Sequence, residues 1–259
     1  MGALAGRRVV VTRRKGQSAA LRDGLRERGA AVVELPAIEI VPPSNLEPLD
    51  AALAALDEYD WVFVTSPNAV AALLSRMTVQ GLYPRLTSAR TRLASVGPAT
   101  TTALRASFPE DQVALEPAGD YRAAGLLAAL EGRDFSGERV LLPVSSLARD
   151  ELSQGLTARG ASVDRLEAYR TVEPPELAAG VAEALEQGFD LALFASPSAV
   201  ETFAHAAGKR ALGLPVVVIG PTTEAAAAAA GFDVLGVASP STVEALIACA
   251  EAVLGEHRP

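Results

Sequence analysis

A four-part internal repeat constrains this chain more than any other feature of it. Residues Val9 to Ile40 align without gaps on Val140 to Thr171, and Leu21, Leu25, Arg28, Gly29, Ala30 and Val32 each meet an identical residue. DWVFVTSPNAV from Asp60 pairs with DLALFASPSAV from Asp190, and SVGPATTTA from Ser95 pairs with VIGPTTEAA from Val218. A weaker fourth pair matches Val113–Leu130 with Val234–Ala250. The pieces keep their order, so one strand and helix unit has been used twice.

Each piece reads as a short buried strand followed by a helix. Val9–Val11 and Val216–Ile219 are β-branched runs, Leu21 and Leu25 form a helical stripe, and Gly29 stands where that helix ends. Near-continuous apolar strands between helices imply parallel sheets covered on both faces, so the expected class is α/β and doubly wound. Proline-bearing segments fall at equivalent points of the two copies, LPAIEIVPPS (Leu35–Ser44) and LEAYRTVEPP (Leu166–Pro175). If residues 35–45 and 166–175 are the only crossings, residues 46–165 form one domain, and residues 1–34 join 176–259 in the other. The first piece of each copy then completes the other copy's sheet.

At 259 residues the chain has room for two domains of roughly 100–150 residues. Hydrophobic residues make up 49% of it, yet no uncharged apolar run nears the ~18–20 residues of a membrane span. The segment Met1–Arg8 has no apolar signal region, and the lone Cys249 cannot form an intrachain disulfide, which together point to the cytoplasm. A net charge of −8 disfavours nucleic acid, whose binding leans on a basic surface. It leaves room for a small anion, because local groups such as Arg13, Arg14 and Lys15 set the field in a cleft.

In open parallel sheets, ligands bind beyond the carboxyl ends of the strands. The repeat's most distinctive residues fall there. Thr65, Ser66, Pro67 and Asn68 recur as Ala195, Ser196, Pro197 and Ser198, with the serines placed to cap helices. Gly97 and Gly220 suit a tight turn and close backbone approach, with Thr100, Thr222 and Thr223 close behind them. Any one Ser-Pro or Gly-Pro is an ordinary capping device; their joint recurrence on one edge points to anion-binding helix N-termini. Thr12 and Arg13 follow the first strand, and Tyr169 sits at a domain boundary, where a phenol can donate or accept a proton. No dinucleotide fingerprint, phosphate loop, H-E-x-x-H or C-x-x-C occurs, and His205 and His257 stand apart, so neither a metal nor an organic cofactor is expected.

Taken in order, VVVTRR, PAIEI, DWVFVTSPNAV, VGPAT, EAYRT, ASPSAV and IGPTT resemble the uroporphyrinogen-III synthase family over nearly the whole chain. The resemblance implies two flavodoxin-like domains joined by two connecting strands, with the site in the cleft between them. It implies a cofactor-free lyase that closes the linear tetrapyrrole hydroxymethylbilane to uroporphyrinogen III with inversion of ring D. A monomer is implied, in transient contact with the preceding enzyme of the pathway. Loss of the ring A hydroxyl gives an azafulvene; ring D attacks through its substituted carbon, and a spiro intermediate fragments and recloses. Tyr169 matches the family tyrosine held to protonate the leaving hydroxyl. The substrate's eight carboxylates would meet Thr12, Arg13, Thr65, Ser66, Asn68, Gly97, Thr100, Ser196, Ser198, Gly220, Thr222 and Thr223. Arg14, the loop Pro143–Ser146 and Ala195 depart from the family pattern. A non-catalytic bilobed anion binder or a regulatory paralogue is the competing reading.

Overall fold

A computed structural model describes residues 2–14, 16–82 and 91–256. Lys15 and His257 lie outside the described residues. The chain starts with β1 (Arg8–Val11), α1 (Ala19–Glu27) and β2 (Ala31–Glu34). It continues through β3 (Glu39–Val41), α2 (Glu47–Ala54), β4 (Trp61–Val64), α3 (Pro67–Val79), β5 (Arg92–Ser95), α4 (Pro98–Arg105) and β6 (Val113–Leu115). Next come α5 (Ala123–Ala128), β7 (Arg139–Ser145), α6 (Glu151–Thr157) and β8 (Ser162–Val172). The last part is α7 (Leu177–Gln187), β9 (Leu191–Phe194), α8 (Pro197–Ala207), β10 (Pro215–Val218), α9 (Pro221–Ala229), β11 (Asp233–Val237) and α10 (Val243–Glu256).

Two compact units result, one of Met1–Glu39 with Val172–Pro259 and the other of Ile40–Thr171. In the first, the strands run β11-β10-β9-β1-β2; in the second they run β3-β8-β7-β4-β5-β6. Within each, the repeat's five strands follow the 2-1-3-4-5 order of flavodoxin-like sheets, with β3 added at one edge of the second. Val9 and Val10 pair in parallel with Leu191 and Ala192, whereas Trp61 pairs with Val140 and Arg92. The first strand of the chain is therefore built into a sheet made chiefly from its last third.

Strand alternation shows why both sheets are covered on two faces. Val9, Val11, Leu191 and Leu193 enter one core with α1 and α10, while Val10, Ala192 and Phe194 enter another with α7 and α8. The second unit repeats this: Val62, Val64 and Leu93 face one core, and Trp61, Phe63 and Ala94 the other. Successive side chains on a strand point to opposite faces, so a run that is apolar throughout must be buried on both.

The aspartates that open the second repeat piece clip the sheets at their amino ends. Asp60 Oδ2 accepts the Arg139 backbone N–H at 2.8 Å, and Asp190 Oδ2 accepts that of Arg8 at 2.7 Å. Asp190 also takes a guanidinium hydrogen of Arg7 at 2.8 Å. Asp190→Ala is expected to cost about 1–2 kcal/mol, read as a lowered urea midpoint with unchanged slope, because a backbone donor and a cation lose one shared acceptor.

The chain passes from one unit to the other within both segments expected to be linkers, at 39/40 and 171/172, and both segments carry strand. Residues 166–172 are the second half of β8, which pairs with β7 as far as Tyr169, and residues 39–41 form β3 of the same sheet. Prolines mark where pairing stops, at Pro174, rather than where it is absent.

Candidate active site

The carboxyl edge of the second unit is organised by Ser66. Its extended backbone (φ −161°, ψ 153°) places the side chain to cap α3, accepting the Ala69 N–H at 3.1 Å. Ser196 does the same for α8, accepting from Ala199 N–H at 3.2 Å. Pro67 and Pro197 open these helices, where a missing N–H costs nothing.

Tyr169 meets Ser66 here, their hydroxyl oxygens 3.0 Å apart. The register of β8 against β7 shifts beside Tyr169, so that Val144 faces Glu167 but Ser145 faces Tyr169. As a result two successive residues, Ala168 and Tyr169, enter the same core. A bulge that re-aims one side chain is a common device beside active sites. Tyr169 is only 8% exposed, with its ring in the core and its hydroxyl against the capped helix start. In the first unit the corresponding serine lies 3.2 Å from Ser198 Oγ instead.

Other candidates divide. Thr12, Thr100 and Thr223 are 0%, 2% and 2% exposed, and the Thr12 hydroxyl donates to the Leu193 carbonyl at 2.8 Å. Thr65, Asn68 and Ser198 are half-buried, and Thr222 is exposed. Gly97 and Gly220 have φ of 165° and 176°, extended values open to any residue, so a tight turn is not what requires glycine. Space requires it at Gly97, where a Cβ would stand 2.8 Å from the Tyr121 ring, whereas one on Gly220 would meet only the rotatable Ser241 Oγ, at 2.6 Å.

Arg13, just past β1, is half-buried and makes no hydrogen bond or ion pair with another described residue. Burial pushes its pKa below the usual arginine value, as expected for a cation stripped of water without a counter-charge. Arg14 Nε, by contrast, donates to Gln17 at 3.2 Å.

Beyond β4, β5 and β7 the second unit holds a pocket of about 420 Å³, its lining including Thr65, Val96, Tyr121, Arg122, Val144 and Arg149. Tyr121, Arg122 and Arg149 were not singled out in the sequence. An aromatic residue amid the polar, glycine-bearing AGDYRAAG was the available signal for the first two.

The uroporphyrinogen-III synthase HemD family model matches residues 19–248. This chain belongs to the uroporphyrinogen-III synthase family. A uroporphyrinogen-III synthase of Synechococcus elongatus is 31% identical over 234 residues, 85% of each chain. The chloroplastic uroporphyrinogen-III synthase of Oryza sativa subsp. japonica is 30% identical over 238 residues, covering 90% of this chain and 76% of that one. Among solved structures, a mutant uroporphyrinogen III synthase from Thermus thermophilus superposes with a TM-score of 0.69 at 19% identity, covering 97% of this chain and 100% of that one. The Helicobacter pylori enzyme gives 0.62 at 16% identity, covering 95% and 99%. At such identities the likeness is one of fold: the two-unit α/β architecture is that of uroporphyrinogen-III synthases. No helix among the described residues is long and apolar enough to cross a membrane.

Proposed function

We propose that this chain is a cyclising lyase that converts hydroxymethylbilane to uroporphyrinogen III with loss of water. Family membership supports the reaction, and the Tyr169–Ser66 hydroxyl pair at the carboxyl edge of the sheet is the observation that ties it to residues. In this reading Tyr169 donates its phenolic proton to the departing ring A hydroxyl. The C–O bond breaks with its electron pair and water leaves. The substituted carbon of ring D then attacks the azafulvene cation, the spiro intermediate fragments, and reclosure at the alternative carbon releases the proton that restores the phenol. Ser66 holds the phenolic hydroxyl at the start of α3. Unassisted closure gives the type I isomer, so the protein's larger task is to hold the chain in the inverted geometry.

The deciding experiment supplies hydroxymethylbilane to the purified chain and resolves the product isomers. Mainly type III product is expected; type I alone, at the rate seen in buffer, would overturn the reading in favour of a binding or regulatory protein. Exhaustive chelation is expected to leave turnover unchanged.

Arg13 fits a substrate carboxylate, being a half-buried cation with no ion pair among the described residues. Arg13→Met is expected to raise KM about tenfold, the worth of one charge-assisted bond. It is also expected to leave the melting temperature unchanged or slightly higher, because an uncompensated cation leaves the interior. Parallel kinetics and thermal melts check both signs.

A further inference from the structure

We infer that the pocket of the second unit is a subsite for one carboxylate-bearing pyrrole ring, with Tyr121 lying against the ring and Arg149 pairing with its acidic arm; this rests on the function proposed above. The charges around the pocket single out Arg149. Arg122 is held by Asp120 at 2.7 and 3.0 Å and feels Glu151 as well. Asp150 is taken by Arg165 at 3.1 Å. Arg149, exposed at the mouth, has no hydrogen bond or ion pair with another described residue.

Tyr121 supplies the flat surface. It is 51% exposed although it lines the pocket, and the missing Cβ of Gly97 lets its ring settle on the backbone. Leu147, 71% exposed, directly precedes the lining residues Ala148 and Arg149. Large apolar side chains left in water beside a cavity are characteristic of a face that a ligand covers. Val96, Leu142 and Val144 give the cavity apolar walls, and Thr65 adds a hydroxyl that can accept a pyrrole N–H. A volume of about 420 Å³ is near the low end of small-molecule sites, room for one substituted ring rather than a linear tetramer.

The internal repeat supports the assignment by contrast. Thr65, Val144 and Arg149 correspond to Ala195, Arg13 and Ser18, and Ser241 packs on Gly220 where Tyr121 packs on Gly97. Ser18 is buried and donates to Glu34 at 2.7 Å. The capping serines and helix-opening prolines are the same in both copies, while these pocket-lining positions differ, as expected if only the second unit grips a ring this way.

The test uses the full chain with Arg149→Gln, Arg149→Lys, Tyr121→Phe and Tyr121→Ala. Arg149→Gln and Tyr121→Ala are each expected to raise KM for hydroxymethylbilane about tenfold, with kcat within about twofold and melting temperature unchanged. Arg149→Lys and Tyr121→Phe should recover most of the loss. A monopyrrole carrying one acetate and one propionate arm, titrated without turnover, should shift the Tyr121 ring resonances in wild type but not in Arg149→Gln. Unchanged KM and an undisturbed Tyr121 in an enzyme that still makes type III product would overturn the subsite alone. A wild-type protein that makes no type III product would instead overturn the function on which it rests.

Discussion

Tyr169→Phe is expected to lower kcat about 10- to 100-fold while the product remains type III. General acid assistance contributes typically about 10²–10⁴-fold, and a hydroxyl leaving from a position that forms a stabilised azafulvene needs little help, so the loss belongs at or below the low end. The ring of Tyr169 is core and its hydroxyl touches Ser66, so phenylalanine keeps the packing and deletes only the proton donor. Stability should fall by no more than about 1 kcal/mol, the net worth of one hydrogen bond. Ser66→Ala should show a milder loss of kcat together with a destabilised α3, because that hydroxyl also caps the helix. Wild-type turnover in Tyr169→Phe would remove the acid role. A switch to type I product would recast the tyrosine as a positioning residue.

The largest expected effect on stability comes from Gly125→Ala, where two rules give opposite signs. Helix propensity alone favours alanine over glycine by about 1 kcal/mol. Here, however, a Cβ would stand 1.9 Å from the backbone oxygen of Asp120 and 2.7 Å from its Cβ. Neither group is the end of a flexible side chain, so α5 or the preceding loop has to move. Overpacking of this kind costs about 1–3 kcal/mol, and a clash with backbone sits at the top of that range. A net loss of about 2–3 kcal/mol is expected, seen as a fall of roughly 5–10 °C in melting temperature. Because Asp120 and Tyr121 move with the loop, KM should rise as well. A more stable Gly125→Ala protein would show that the loop yields freely and that propensity wins.

The two sheets were legible because their strands are apolar without interruption, and because the caps at Ser66 and Ser196 are local chemistry that reads the same in any fold. What was hidden depended on distant partners. The second half of β8 reads EAYRTV, with neither an apolar run nor clean alternation, and hydrogen bonding to its neighbours β3 and β7 makes it a strand. The meeting of Ser66 and Tyr169 needs the bulge at Ala168, which no local pattern encodes. The burial of Thr12 and Thr100, both expected to meet substrate carboxylates, was not legible, since threonine serves equally at an edge and in a buried layer and its burial depends on what packs above it. Gly97 was read as suiting a tight turn and close backbone approach, but what approaches it, the Tyr121 side chain two elements later, could not be named from the sequence.

The pairing of β1 with β9 also sets a timetable for synthesis. The apolar run Val9–Val11 leaves the ribosome long before one of its two neighbours, Leu191–Leu193. At roughly 5–20 residues per second, that gap is on the order of ten seconds or more. Throughout it, α1 and β2 can shelter only part of the strand. The second unit is contiguous and can fold in the interval, so the newborn chain is a finished body trailing an unfinished, sticky leader. Chaperone demand in the cell should therefore fall on the first forty residues, and a circular permutant that begins at β3 and places β1–α1–β2 after α10 should need less of it.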